Sequence, residues 1–129
     1  MKEWARAILC DADRMWSNSR KQYNEQLASG VQGVGEKLTP VSLDARNALG
    51  TFLFAAKIDA RHADLDIDGD GGYELTIIIG ERHYMFVIHN SGSISWQMFK
   101  GDFEVAGGGF NDVTETNIAL SFTEWPEGK

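Results

Sequence analysis

Hydrophobic residues recur at helical intervals through the first part of the chain. Between residues 3 and 27 they are spaced by three, four and eight positions, which places them on one stripe of an amphipathic helix. The pattern predicts either one helix about 40 Å long or two shorter helices, because Ser17, Asn18 and Ser19 in its middle are weak helix formers. The stripe consists of Trp4, Ile8, Ala12, Met15, Tyr23 and Leu27.

A glycine-containing connector and a second helix follow. Glycines at three positions in residues 30–35 interrupt the helical pattern and predict a flexible connection. Thr39 and Pro40 suit the N-cap and first turn of the second helix, and Ser42 is the alternative cap. The predicted core face of this helix consists of Ala45, Leu49, Phe52, Leu53 and Ala56.

After Asp59 the hydrophobic period changes from helical to alternating, which is typical of β-strands. Turn-forming residues separate the alternating segments and predict hairpins. We expect the three glycines of residues 107–109 to be irregular. The tail around residues 118–125 fits a helix or a strand, and we favour a short helix or an irregular cap. The predicted strands cover residues 63–68, 73–79, 83–89, 94–99 and 103–105.

These elements predict an α+β fold in a single domain, residues 1–129. Two N-terminal helices in residues 1–58 pack on one face of an antiparallel β-meander of four or five strands in residues 59–129. Residues 77–79 are all isoleucine and break the alternation, so a homodimer through the second sheet face is an open alternative. The sheet face expected to contact Phe52 and Leu53 carries Leu75, Ile77, Phe86 and Trp96.

The charge of the chain is concentrated in its β part. Twelve Lys and Arg against nineteen Asp and Glu give a net charge of −7 over the 129 residues. Residues 1–58 hold eight basic and six acidic side chains, whereas residues 59–129 hold four basic and thirteen acidic ones. The balance argues against direct nucleic-acid binding, because that affinity comes mainly from Lys and Arg that neutralise phosphates. Residues 59–74 are the most charge-dense stretch, with six carboxylates and one Arg61.

The composition also limits the cellular location of the protein and the kinds of metal or catalytic site that it can contain. A single cysteine, Cys10, excludes an internal disulfide and a cysteine-rich zinc site, and its apolar neighbours predict a small buried side chain. No apolar stretch approaches the length of a membrane span, so we expect a cytoplasmic protein without a membrane partner. His83 and His89 fall about 20 Å apart on one strand, too far to share a metal ion. We find no catalytic motif and predict a protein that is not an enzyme, although a site built from distant residues stays an alternative.

Residues 66–75 read DIDGDGGYEL and resemble the D-x-D-G-D-G-x-x-D-L calcium loop of FG-GAP and related propeller repeats. The resemblance implies a calcium ion held by Asp66, Asp68, Asp70 and Glu74, with a backbone carbonyl near Gly72. Glu74 stands where that family favours Asp, and the loop occurs once rather than as an array. The alternative is a plain β-hairpin with an acidic face, since Asp-Gly and Gly-Gly are preferred turn residues without any ion.

The chain as a whole resembles small acidic proteins of bacteria and phages, a group that includes antitoxins, immunity proteins and anti-CRISPR inhibitors. Residues 39–57 followed by residues 64–99 carry this resemblance. It implies a non-enzymatic inhibitor that covers a basic, nucleic-acid-binding surface of a partner protein, because a row of carboxylates can mimic phosphates. The predicted contact residues are Asp59, Asp64, Asp66, Asp68, Asp70 and Glu74.

Overall fold

Among the residues that the structure describes, two helices precede an antiparallel meander of five strands, which confirms the predicted α+β fold. The computed structural model describes residues 1–29, 39–56 and 59–110. The strands follow one another in the sheet in chain order, each antiparallel to the next. The elements are α1 (Glu3–Ser29), α2 (Leu43–Ala55), β1 (His62–Asp68), β2 (Gly72–Ile79), β3 (Arg82–Ile88), β4 (Ile94–Lys100) and β5 (Phe103–Phe110).

Helix α1 is continuous, so of the two alternatives for this segment the single helix is correct. The hydroxyl of Ser19 donates to the carbonyl of Trp16 at 3.0 Å and accepts from the amide of Val41 at 3.1 Å. The polar middle of α1 therefore attaches the helix to the segment that leads into α2. Tyr23 and Leu27 were expected on the buried stripe, but they are 37% and 64% exposed.

Helix α2 begins at the second of its two candidate caps. The Ser42 hydroxyl accepts a hydrogen bond from the amide of Ala45 at 3.0 Å, as an N-cap does, and donates to the carbonyl of Asn90 at 2.6 Å. Thr39 instead forms an isolated parallel bridge with Asp70. All five predicted core positions of this helix are buried, including Ala56 at its C-cap.

The hydrophobic core lies between the helices and one face of the sheet, which we call the inner face. Phe52 of α2 packs on Phe86 of β3 with ring centroids 4.7 Å apart, and Leu53 is fully buried beside it in the same core cluster. Trp96 is partly buried and packs against this cluster. The predicted contact between α2 and the sheet is therefore confirmed. The buried inner-face residues are Leu65, Tyr73, Leu75, Ile77, Tyr84, Phe86, Ile88, Ile94 and Met98.

Two predictions about local structure are wrong. The glycines of residues 107–109 belong to β5, which runs well beyond the short strand expected there. Gly108 pairs with Trp96, and a Cβ at Gly108 would lie 3.0 Å from the indole Nε1, so the ring fills the space a side chain would need. Cys10 is exposed rather than buried, because it points away from the stripe formed by Ile8 and Ala12.

Two further predictions lie outside the described residues: the glycine connector of residues 30–35 and the tail beyond residue 110. Within the described part of the chain, no helix combines the length and the apolar character needed to cross a membrane. Both helices instead belong to the layer that covers the inner face of the sheet.

Candidate functional site

The sheet face that points away from the helices carries a row of carboxylates at one edge. Strand β1 presents Asp64, Asp66 and Asp68 on this outer face, because side chains two residues apart share a face of a strand. Glu74 of β2 lies directly opposite Asp66. Neighbouring carboxylates along β1 are about 7 Å apart, and the cross-strand pair is about 5 Å apart at Cβ. We call Asp64, Asp66, Asp68 and Glu74 the acidic row.

Few cations compensate the acidic row. Asp64 pairs with His62 at 2.7 Å, and Asp68 accepts a hydrogen bond from the amide of Asp70 at 3.3 Å. Among the described residues, neither Asp66 nor Glu74 has an ion pair within 4.0 Å. Repulsion between neighbouring charges costs about 0.6 kcal/mol per pair in water at 7 Å, which folding tolerates. The row is therefore a negative surface with little cationic compensation among the described residues, and a cationic partner would stabilise it.

The other two predicted contact residues lie outside the row. Asp59 precedes β1 and forms an ion pair with Lys2 of the helical layer at 2.8 Å. Asp70 is exposed in the turn between β1 and β2, where its backbone bridges to Thr39. The structure thus brings together four of the six carboxylates, places Asp70 at the end of the row and separates Asp59 from it.

The acidic hairpin is anchored to the start of α2. The amide of Ser42 donates to the carbonyl of Gly71 at 3.0 Å, and the amide of Thr39 donates to the carbonyl of Gly69 at 3.3 Å. Gly72 lies against β3 so closely that a Cβ would fall 1.9 Å from the carbonyl oxygen of Ile88. These contacts fix the turn, so the carboxylates are presented on a rigid hairpin and need little further ordering on binding.

On the five described strands, histidine is the only basic residue type at outer-face positions. Following the strand register, the outer-face positions of the five strands carry no Lys or Arg. A fifth carboxylate, Glu104, lies on the outer face at the edge formed by β5. The histidines on this face are His62 and His83, and His89 continues it just beyond β3. Glu104 was not among the contact residues predicted from the sequence, although it shares a face with the acidic row once the register of β5 is known. Apolar outer-face residues between the two acidic edges are Ile78, Met85, Val87 and Phe99.

The geometry of the hairpin bears on the calcium hypothesis. An extended strand lines carboxylates up along its length, whereas a calcium site needs six to eight oxygens converging on one point. Among the described residues, no group of three or more His, Cys, Asp or Glu side chains is arranged to hold a metal ion. The four residues named by the FG-GAP resemblance do not form a ligand set in this conformation, and the calcium loop stays the alternative to a plain hairpin.

One hydrogen-bonded pair of a kind used in nucleophilic catalysis lies on the outer face. The Ser95 hydroxyl and His89 Nε2 are 2.9 Å apart. A serine nucleophile also needs a group that orients the histidine and donors that stabilise an oxyanion. No carboxylate contact to His89 occurs among the described residues. The pair therefore provides two of the required parts, and it does not define a reaction.

Comparisons with known protein families, with curated proteins and with solved structures found no match. The outer face combines a row of carboxylates with an apolar middle, and both features can contribute to binding a partner.

Proposed function

We propose that the chain is a non-enzymatic interaction protein whose outer face binds a basic surface of a partner protein. Such a surface ordinarily binds nucleic acid, so the chain acts as an inhibitor of that binding. The single observation that carries the proposal is the acidic row, in which Asp66 and Glu74 face each other without a cationic partner among the described residues.

Three physical features support this function. Carboxylates about 7 Å apart along β1 are spaced like successive phosphates along one nucleic-acid strand, so cations placed for phosphates can reach them. Negative potential over the face speeds association with a positive cleft. The anchored turn at Gly71 keeps the carboxylates in place before binding, which lowers the entropic cost of the complex.

Protection of the sheet edge is an alternative explanation for part of the acidic row. β1 is the first strand of the sheet, and charged side chains on an edge strand discourage pairing with other strands. Edge protection alone accounts for charges on β1. It does not account for Glu74, because β2 pairs with a strand on each side.

The experiment is affinity capture from the organism that encodes the chain, followed by competition. Wild-type protein is expected to retain a basic nucleic-acid-binding protein, and adding the chain should displace that protein's nucleic acid. An acidic-row variant (D64N, D66N, D68N, E74Q) should retain and displace far less. The proposal would be refuted if the acidic-row variant retained the same partner. It would also be refuted if the partner kept its nucleic acid when the wild-type chain was added.

A charge-matched control separates the acidic row from net charge. The control variant carries E3Q, E25Q, E81Q and D102N, which neutralise four exposed carboxylates outside the outer face of the sheet. Both variants change the formal charge from −7 to −3. The proposal predicts capture by the control variant and loss of capture by the acidic-row variant.

A further inference from the structure

A shallow concavity lies on the outer face beside the acidic row. It has a volume of about 600 Å³ and is lined by Met85, Val87, His89, Gln97, Glu104 and Gly107, among others. It forms because β5 presents glycine opposite both Gln97 and Ser95, so no side chain rises there above the backbone. The sheet surface is therefore lower over β5 than over β3 and β4.

The concavity is lined by apolar side chains of β3 on one side and by one carboxylate, Glu104, on the other, and the acidic row lies beyond β3. Met85 is 38% exposed, and Val87 continues the apolar surface along β3. The acidic row lies on β1 and β2, about 5 to 10 Å away across strands spaced by about 4.8 Å. Glu104 supplies a carboxylate at the opposite edge, where it accepts a hydrogen bond from Gln97 at 3.3 Å. The arrangement is an apolar strip between two negative borders.

We infer that this strip binds an amphipathic α-helix of the partner, with an apolar stripe against Met85 and Val87 and Lys or Arg on its flanks. The inference rests on the proposed function, because it names the element of the basic partner that makes the contact. Charge complementarity selects this occupant, because the outer-face positions of the described strands carry five carboxylates and no Lys or Arg to repel the flanking cations.

The dimensions of the face agree with a helix. A helix is about 10 Å across, so cations on one flank reach the acidic row while those on the other reach Glu104. β4 has seven residues and is about 23 Å long, which accommodates about fifteen helical residues. Helices that bind nucleic acid commonly carry Lys and Arg, and covering such a helix would block the nucleic acid directly.

The test uses a synthetic peptide of about sixteen residues with leucines at helical spacing and lysines on both flanks, together with a scrambled peptide of the same composition. Affinity is measured by fluorescence anisotropy at one salt concentration. We expect the amphipathic peptide to bind the wild-type protein about tenfold more tightly than the scrambled one. A bulky Q97W variant should weaken the amphipathic peptide about tenfold, whereas N24W on α1 should leave its affinity unchanged.

Chemical-shift mapping on the wild-type protein keeps the test independent of folding defects in the variants. Amide shifts centred on Met85, Val87 and Gln97 support the inference, and shifts confined to the helical layer overturn it. Self-association of the free protein through these residues also overturns it, because a second copy is then the occupant. If both peptides bind the wild-type protein equally and neither binds the acidic-row variant, a helical occupant is refuted but the proposed function is not. Undiminished binding of both peptides by the acidic-row variant contradicts the proposed function as well.

Discussion

The phenol of Tyr73 on β2 donates a hydrogen bond to the main-chain carbonyl of Ala12 in α1, with an oxygen–oxygen distance of 2.7 Å. Both residues are fully buried. Next to this contact, Arg46 of α2 pairs with Asp13 of α1 at 2.7 Å, and this hydrogen bond raises the pKa of the Arg46 guanidinium. The sheet and the two helices are thus joined at one place by polar contacts as well as by apolar packing.

Removing this hydroxyl should destabilise the fold. Y73F keeps the ring but loses the hydrogen bond to Ala12, so we expect the free energy of unfolding to fall by about 1 kcal/mol. Urea denaturation followed by circular dichroism measures the change. Y23F removes a hydroxyl from an exposed tyrosine and should change stability by less than about 0.5 kcal/mol. Equal effects of the two substitutions would show that the buried hydrogen bond contributes nothing.

The same tyrosine predicts a pH dependence of stability. Burial raises the pKa of Tyr73 above its ordinary value of 10.0, and the nearby Asp13 carboxylate adds to the shift. The protonated Tyr73 phenol makes its full contribution to stability below the ordinary pKa, where the folded and unfolded states are both protonated. This contribution is lost as the pH rises above about 10, because only the unfolded state ionises readily there. The stability advantage of wild type over Y73F should therefore shrink above pH 10, and an advantage that grows would contradict the assignment.

Two glycines of the acidic hairpin, Gly69 in the turn and Gly72 at the start of β2, should differ in their tolerance of alanine. In G72A the new Cβ would lie 1.9 Å from the carbonyl oxygen of Ile88, so β2 and β3 must separate. We expect a loss of about 3 kcal/mol or more, or failure to fold. In G69A nothing lies within 4 Å of the new Cβ, and stability should change by less than about 0.5 kcal/mol. Thermal melting of both variants measures this, and a tolerated G72A would contradict the position of the hairpin.

Much of the fold could be predicted from the sequence because it is encoded locally. The change of hydrophobic period near Asp59 separates helices from strands, and the spacing of Phe52 and Leu53 identifies the core face of α2. The acidic row likewise follows from alternation, since Asp64, Asp66 and Asp68 share a face whatever the sheet pairs with.

Features that depend on distant contacts could not be predicted in the same way. Glycines disfavour strands, yet Gly108 belongs to one because the indole of Trp96 occupies the neighbouring space. Glu104 joins the outer face only after the irregularity between Met98 and Phe99 sets the register of β5. The concavity depends on this register, which places glycines of β5 opposite Gln97 and Ser95, so no local pattern in the sequence reveals it.

Calcium should have no specific effect on this protein. Because the hairpin keeps the carboxylates of Asp66 and Asp68 about 7 Å apart, they cannot close around one ion without bending the strand. We expect no saturable heat in a calorimetric titration with calcium chloride and no difference in melting temperature between calcium and a chelator. A one-to-one isotherm with a raised melting temperature would instead favour the calcium loop and would require the hairpin to curl around the ion.

The affinity of the captured basic partner for three proteins tests the central claim most directly: wild type, the acidic-row variant and the charge-matched control. We predict that the acidic-row variant binds at least about tenfold more weakly, with a shallower dependence on salt, and that the control stays within about threefold of wild type. Since the last two proteins have the same net charge, the comparison isolates the position of the carboxylates. Equal weakening in both variants, or none in either, would contradict the role assigned to the outer face.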